Sequence, residues 1–301
     1  VDVWLNGRWI ATDEARVSAF DAGLQHGVGL FETMMAMGVS SGSVVHRLDD
    51  HLARLAASAV ELGLTARLET APLAEVVREA LGRSGLAEAR IRLTLTGGDL
   101  NLLVRGEAAA PRHDPTILVA VQPATRYPAS FFTDGVRVTV ADARANPLDP
   151  FAGHKTLWYW PRLAALQEAA RRGAGEALWF TVTNHVAGGC VSNLFAVRDG
   201  RLLTPLVRGE EPPGGLRAPI LPGVTRARIL ALAAAAGLEC ERRMLTYDDL
   251  VHASEIFLTN SSWGVLPVVG IEAVDIADAK PGPVTARLRE AWLADLSRGE
   301  G

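Results

Sequence analysis

The chain holds two lysines, Lys155 and Lys280, and otherwise takes its positive charge from arginine. Lys280 stands in the turn-forming run Ala279-Lys280-Pro281-Gly282 and reads as a solvated charge. Lys155 follows the turn formers Asn146 to Pro150 and opens the run Lys155-Thr156-Leu157-Trp158-Tyr159-Trp160. An amine can lose its proton and condense with a carbonyl to a Schiff base, which a guanidinium cannot do. Lys155 is therefore the candidate nucleophile, a surface lysine spared by chance being the plain alternative. Three other stretches could hold an anion. Gly223-Val224-Thr225 stands where a helix should begin, so backbone N–H groups and the positive end of the dipole point outward; Thr225 reads equally as an ordinary N-cap. Asn260-Ser261-Ser262 ends a strand with small hydroxyl donors, or forms a plain Asx turn. Arg54 offers a two-pronged fork for a phosphate, or is simply a solvated helix arginine.

The elements that must position these groups follow from hydrophobic periodicity. Asn6-Gly7 between two apolar runs predicts a hairpin over Val3–Ile10. Gly23, Gly27 and Gly29 lead into a strand over Phe31–Met37. Leu48, Leu52, Leu55, Val60 and Leu62 recur at helical spacing, with Arg54 elsewhere on the wheel. A second helix is expected over Ala74–Arg83, and strands over Ile91–Thr96 and Thr116–Gln122. Pro123 to Pro128 reads as a linker. Beyond it come a strand over Val136–Ala141, a helix over Pro161–Arg172, and strands Ala177–Thr183 and Leu194–Arg198 flanking the polar-to-glycine stretch Asn184–Ser192. Asp199-Gly200 turns a hairpin into Leu202–Thr204, and a long Gly/Pro-rich loop, Pro205–Pro219, precedes the Ala-rich helix after Thr225. A strand over Glu255–Thr259 enters Asn260, and a last helix is expected over Val284–Leu296. Strands and helices mix without a regular βαβ cadence, so the expected class is α+β in two lobes: 1–122, a linker at 123–131, and a larger lobe at 132–301 carrying Lys155.

A formal net charge of −4 with no block of like charge gives no footprint for nucleic acid. The longest apolar run, Ile229–Ala236, is too short to span a bilayer, and the start reads as strand and turn rather than a signal peptide. Cys190 and Cys240 provide neither a disulfide framework nor a metal-ligand spacing. A cytoplasmic protein without membrane, nucleic acid or metal is expected.

Taken in order, several blocks resemble the class IV (fold-type IV) aminotransferases, which use pyridoxal 5′-phosphate. The blocks are Asp21-Ala22-Gly23 with Gly27-Val28-Gly29-Leu30-Phe31-Glu32-Thr33, His51-Leu52-Ala53-Arg54-Leu55 with Ser58, His154-Lys155-Thr156-Leu157 with Tyr159, Ser192-Asn193-Leu194-Phe195 with Thr204-Pro205, Leu221-Pro222-Gly223-Val224-Thr225-Arg226, and Thr259-Asn260-Ser261-Ser262 with Val265-Leu266-Pro267-Val268. The group includes branched-chain and D-amino-acid aminotransferases and aminodeoxychorismate lyase, and the likeness spans about residues 3 to 272. It implies a small N-terminal α/β lobe, a larger C-terminal lobe with a mixed sheet, and a homodimer acting on small amino acids and oxo acids. By the same resemblance Lys155 forms the Schiff base and moves the proton between substrate and cofactor. Arg54, Val224, Thr225, Ser261 and Ser262 hold the cofactor phosphate, Tyr159 lies near the ring hydroxyl, and Phe31 lines the substrate side.

The chain departs from the family pattern at Gly188. A glutamate usually stands five residues before the Asn of the Asn-x-Phe block and pairs with the pyridine nitrogen, which makes the ring the better electron sink. Cys190 and Thr183 are neighbours that could stand in, while Glu176 and Glu210 fall outside the block. An arginine often found after the strand ending at Thr96 is replaced by Gly97, which leaves Arg208 and Arg217 of the long loop as candidates for substrate carboxylate, or as solvated loop charges. Trp158 and Trp160 narrow a pocket or join a dimer core. The expected activity is amino transfer between a small amino acid and a 2-oxo acid. The alternatives are a lyase-like elimination releasing pyruvate and a non-catalytic relative.

Overall fold

A computed structural model describes residues 2–39, 42–99 and 115–298. The chain divides into two compact units, residues 1–125 with 154–158 and 296–301, and residues 126–153 with 159–295. The sequence expectation put Lys155 with the second lobe. It groups with the first because Leu30 and Thr156 form an antiparallel bridge.

In the first unit β1 (Asp2–Leu5) and β2 (Arg8–Ala11) form the expected hairpin. Asn6 (φ 47°) and Gly7 (φ 87°) both take the positive φ that a two-residue type I′ turn requires. There follow α1 (Ala22–His26), β3 (Gly29–Val39), β4 (Gly42–Val45), α2 (Leu48–Glu61), α3 (Thr70–Ser84), β5 (Ala89–Thr96) and β6 (Ile117–Pro123). Helix α3 starts four residues before the sequence expectation, with Pro72 in its first turn, where a missing N–H removes no helical bond. Six antiparallel strands run in the order β2-β1-β6-β5-β3-β4. Leu52, Leu55 and Ala59 of α2 and Leu73, Val77 and Leu81 of α3 pack against Leu30, Met34, Ile91 and Leu93 of the sheet. Strand alternation puts Glu32 on the same face as Leu30 and Met34, so its carboxylate is aimed into the helix-covered side.

The second unit contains α4 (Ser130–Thr133), β7 (Val136–Ala145), α5 (Trp160–Arg171), β8 (Glu176–Thr181), β9 (Val186–Gly189), β10 (Asn193–Arg198), β11 (Arg201–Thr204), α6 (Val224–Ala235), β12 (Cys240–Arg242), α7 (Tyr247–Val251), β13 (Glu255–Asn260), β14 (Gly264–Ile271), β15 (Val274–Asp275) and α8 (Pro283–Arg298). Its sheet runs β12-β11-β10-β13-β14-β7-β8-β9, with β15 paired to β14. Pairs β11–β12, β14–β7 and β7–β8 are parallel and the rest antiparallel, which makes the sheet mixed as expected. Strand β9 lies inside the polar-to-glycine stretch Asn184–Ser192, where the sequence reading named no strand. Gly188 and Gly189 give it little intrinsic strand preference, and its pairing to β8 supplies the order. Among the described residues no helix is long and apolar enough to cross a membrane.

Candidate active site

Lys155 is fixed by its backbone. The Phe31 N–H donates to the Lys155 carbonyl (3.0 Å) and the Leu157 N–H to the Gly29 carbonyl (2.9 Å), so the segment extends the edge of β3 by one bridge. Gly29 is required there: a Cβ would stand 2.5 Å from the Leu95 carbonyl oxygen and against Leu157. The half-buried Lys155 ammonium lies 4.5 Å from the centre of the Phe31 ring. The Arg92 guanidinium of β5 lies 3.9 Å from the same centre, so one aromatic ring serves two cations. Arg92 was not among the residues singled out from sequence. The signal available was its phase: it alternates with the buried Ile91 and Leu93, on the face that Phe31 occupies.

Helix α2 carries His51, Arg54, Ser58 and Glu61 at spacings of three, four and three, which is one stripe of the helix. At one end of this stripe Arg54 meets Glu32 side-on, Nε to Oε1 at 2.8 Å and Nη2 to Oε2 at 2.6 Å. His51 adds Nδ1 to Oε2 at 2.8 Å. Burial by itself would raise the Glu32 carboxyl, but the Arg54 charge and the bonds from His51 and Arg54 outweigh it and hold the pKa down at about 2. Burial lowers the His51 pKa, against the pull of Glu32. The ring is therefore neutral, and because an ionised carboxylate only accepts, Nδ1 carries the hydrogen. At the other end His154, the residue before Lys155, shares a 2.9 Å hydrogen bond between Nδ1 and Ser58 Oγ, with Glu61 3.7 Å from Nε2.

In the second unit Thr225, next to Val224 at the start of α6, stands beside Ser261. The N-cap of α6 is Gly223 rather than Thr225, and no side chain caps the helix, so its leading N–H groups are offered outward. A Cβ at Gly223 would strike Asn193, whose Nδ2 donates to the Leu221 carbonyl (2.9 Å). Thr225 Oγ1 and Ser261 Oγ stand 3.4 Å apart. Asn260 Oδ1 accepts from the N–H groups of Ser262 (2.9 Å) and Trp263 (3.0 Å), the Asx turn that presents Ser261. An uncapped helix end beside two hydroxyls fits a phosphate dianion.

Around Gly188 the fold changes the reading taken from sequence. Gly188 has φ +87°, and a Cβ would lie 2.7 Å from the Ser192 carbonyl oxygen, so this backbone is one only glycine adopts easily. Glu176, at first outside the block, enters it from β8. Its buried carboxylate accepts from the N–H groups of Ala177 (2.8 Å), Cys190 (3.1 Å) and Val191 (3.0 Å) and from Ser192 Oγ (2.9 Å). Burial pushes the pKa up against those donors. Four donors fill the roughly four lone-pair positions a carboxylate has, so Glu176 shapes the loop. Cys190 is also internal: its Sγ accepts from Trp179 Nε1 (3.3 Å), and burial pushes the thiol up to about 12. Thr183 Oγ1 bonds Thr181 Oγ1 (2.8 Å) and His185 Nδ1 (3.0 Å). Tyr159 Oη donates to the Cys190 carbonyl (3.3 Å). In the long loop Arg208 donates to the Ala152 carbonyl (3.1 Å) and packs over Gly153, while Arg217 is exposed. Glu210 is gripped by Arg226, Nη1 to Oε1 at 3.0 Å and Nη2 to Oε2 at 2.8 Å, which anchors the loop.

The family model of amino-transferase class IV matches residues 29–271. The chain belongs to this family. A putative branched-chain-amino-acid aminotransferase of Methanocaldococcus jannaschii is 32% identical, covering 96% of this chain and 94% of that protein. A T.th. branched-chain amino acid aminotransferase, complexed with N-(5′-phosphopyridoxyl)-L-glutamate, superposes with a TM-score of 0.87 at 27% identity over 99% of this chain and 95% of that one. The 4-amino-4-deoxychorismate lyase of Pseudomonas aeruginosa gives a TM-score of 0.82 at 29% identity, covering 98% and 99%. The two-lobed fold-type IV architecture, the aminotransferase activity and pyridoxal phosphate as cofactor thus stand as expected. The chemistry of the residues also fits the cofactor: Lys155 is an amine fixed by its backbone, and the uncapped α6 end with its paired hydroxyls suits a phosphate.

Proposed function

We propose that this aminotransferase works on branched-chain or similarly small apolar amino acids, with a 2-oxo acid as acceptor and Lys155 as the Schiff-base lysine. The observation that carries the proposal is the double backbone pairing of the Lys155 segment to β3, which holds the amine over Phe31. Bound pyridoxal phosphate supplies an electron sink for the substrate Cα. The protein's part is to hold and move protons. The Lys155 amine takes the Cα proton and returns it on the other side of the exchange. The N–H groups of Val224 and Thr225, the hydroxyls of Thr225, Ser261 and Ser262, and Arg54 hold the phosphate. Tyr159 is assigned to the ring hydroxyl. Phe31 forms the apolar wall, and Arg92 above it takes a substrate carboxylate. Arg208 steadies Ala152-Gly153, and Arg217 is kept as a second, substrate-side arginine. The branched-chain preference is drawn from the relatives' activities.

A cytoplasmic homodimer belongs to the same reading. The dimer is supported by the exposed aromatics Trp158 (66%) and Trp160 (78%), with Phe20 and Leu24 in the first unit and Leu148 and Phe151 in the second. Sedimentation velocity giving a monomer would remove that part. A lyase is the second reading, favoured by the lyase neighbour together with the absence of a side chain at Gly188.

The test is an absorption titration of the protein with pyridoxal phosphate, repeated on Lys155→Ala and after borohydride, followed by leucine with 2-oxoglutarate. The expected result is a visible band that borohydride fixes to Lys155, and glutamate formed from 2-oxoglutarate as leucine is converted to its 2-oxo acid. No band, or the same band in Lys155→Ala, would overturn the proposal. Pyruvate released from aminodeoxychorismate without an acceptor would select the lyase.

A further inference from the structure

We propose that Glu32 is a positioning residue for cofactor binding: it fixes the plane of Arg54 so that the guanidinium meets the phosphate as a fork rather than as a mobile charge. The inference rests on the reading that Arg54 holds the phosphate. Glu32 lies on the apolar phase of β3, flanked on its own face by Leu30 and Met34, and its side chain is 1% exposed. A carboxylate is placed there against its own desolvation, so it needs a compensating partner. Arg54 supplies one through Nε and Nη2, both short and parallel, a bidentate contact that leaves the guanidinium plane no freedom to turn. His51 closes the remaining approach to Oε2, and as a neutral ring it adds a donor without adding charge. Two of the five guanidinium N–H groups are committed to Glu32, and the Nη1 edge is turned away from it.

The consequence is not obvious from charge. Glu32 cancels the charge of Arg54, so a purely Coulombic account has Glu32 weakening the hold on a dianion. An orientational account has it strengthening that hold, because the guanidinium is ordered before the phosphate arrives and no rotamer freedom is lost on binding. The two accounts predict opposite signs for the same substitution.

The experiment compares the dissociation constants of pyridoxal phosphate and of pyridoxal, which lacks the phosphate, for the apo forms of the wild type, Glu32→Gln, Arg54→Lys and Arg54→Gln. The readout is the ratio of the two constants, which a general loss of fold integrity moves far less than a loss of phosphate contacts. We expect Glu32→Gln to weaken pyridoxal phosphate on the order of tenfold while leaving pyridoxal nearly unchanged. Arg54→Lys keeps the charge but not the fork, and should lose as much. This second variant leaves Glu32 with a cation and so guards against a Glu32→Gln protein that does not fold. Tighter binding of pyridoxal phosphate by Glu32→Gln, or an unchanged ratio in Arg54→Lys, would overturn the inference. An unchanged ratio in Arg54→Gln would instead remove the phosphate role of Arg54 on which it rests.

Discussion

The carboxylate of Glu176 occupies the space that a side chain at Gly189 would need: a Cβ built on that glycine would stand 2.5 Å from Oε1. The two residues are thirteen positions apart in sequence, and their apposition lets one carboxylate gather the N–H groups of Cys190 and Val191 and the hydroxyl of Ser192. The loop that leads to Asn193 is thereby wrapped around a buried carboxyl group.

Replacing that carboxyl group tests the arrangement. In Glu176→Gln one acceptor oxygen becomes an amide donor facing buried N–H groups. The expected loss is about 1–3 kcal/mol per stranded donor, read from the urea midpoint of unfolding. A neutral result would show the loop to be held by its other bonds.

Gly188 sets a second expectation. With φ +87° and the Ser192 carbonyl oxygen 2.7 Å from the would-be Cβ, Gly188→Ala should destabilise the protein by about 1–3 kcal/mol. Gly188→Glu should suffer in the same way rather than simply restore the carboxylate usual in the family. Thermal unfolding of both variants checks this, and a stable Gly188→Glu would contradict it.

The Glu32–Arg54 pair gives a pH dependence with a fixed sign. Glu32 titrates at about 2 in the fold against 4.5 for the ordinary carboxyl. A lowered folded pKa means that the unfolded chain binds the proton first. The contribution is therefore full above pH 4.5 and is lost as pH falls towards 2. It amounts to about 3 kcal/mol. Denaturant titrations at stepped pH should show the wild type losing this much across the window, with a flatter profile for Glu32→Gln.

The hydroxyl pair at α6 should act on cofactor retention. Thr225→Val and Ser261→Ala each remove a donor to a charged acceptor, which lowers affinity for pyridoxal phosphate on the order of tenfold. Pyridoxal should bind both variants as it binds the wild type, and equilibrium dialysis distinguishes the two cases.

Arg92→Gln should separate the substrates. If its guanidinium takes a distal carboxylate, KM for 2-oxoglutarate rises about tenfold or more, while KM for a branched-chain 2-oxo acid changes little. Steady-state kinetics with the two acceptors gives the answer, and equal effects on both would remove this role.

Some of this was written locally in the chain. Asn6-Gly7 dictates a hairpin because both residues tolerate positive φ, and the apolar stripe from Leu48 to Leu55 dictates a helix because its period is that of one helical face. The scarcity of lysine singled out Lys155, and six ordered blocks carried the family, because residue type and order survive without coordinates. Tertiary structure decided the rest. It brought Glu176 into a loop it precedes, set Arg92 and Lys155 on one aromatic ring, moved the N-cap of α6 from Thr225 to Gly223, and turned the α2 stripe toward Glu32 and His154. Each of these depends on a partner distant in sequence or on the φ/ψ of a single residue. Periodicity reports which face a side chain takes, and folding alone chooses what stands opposite it.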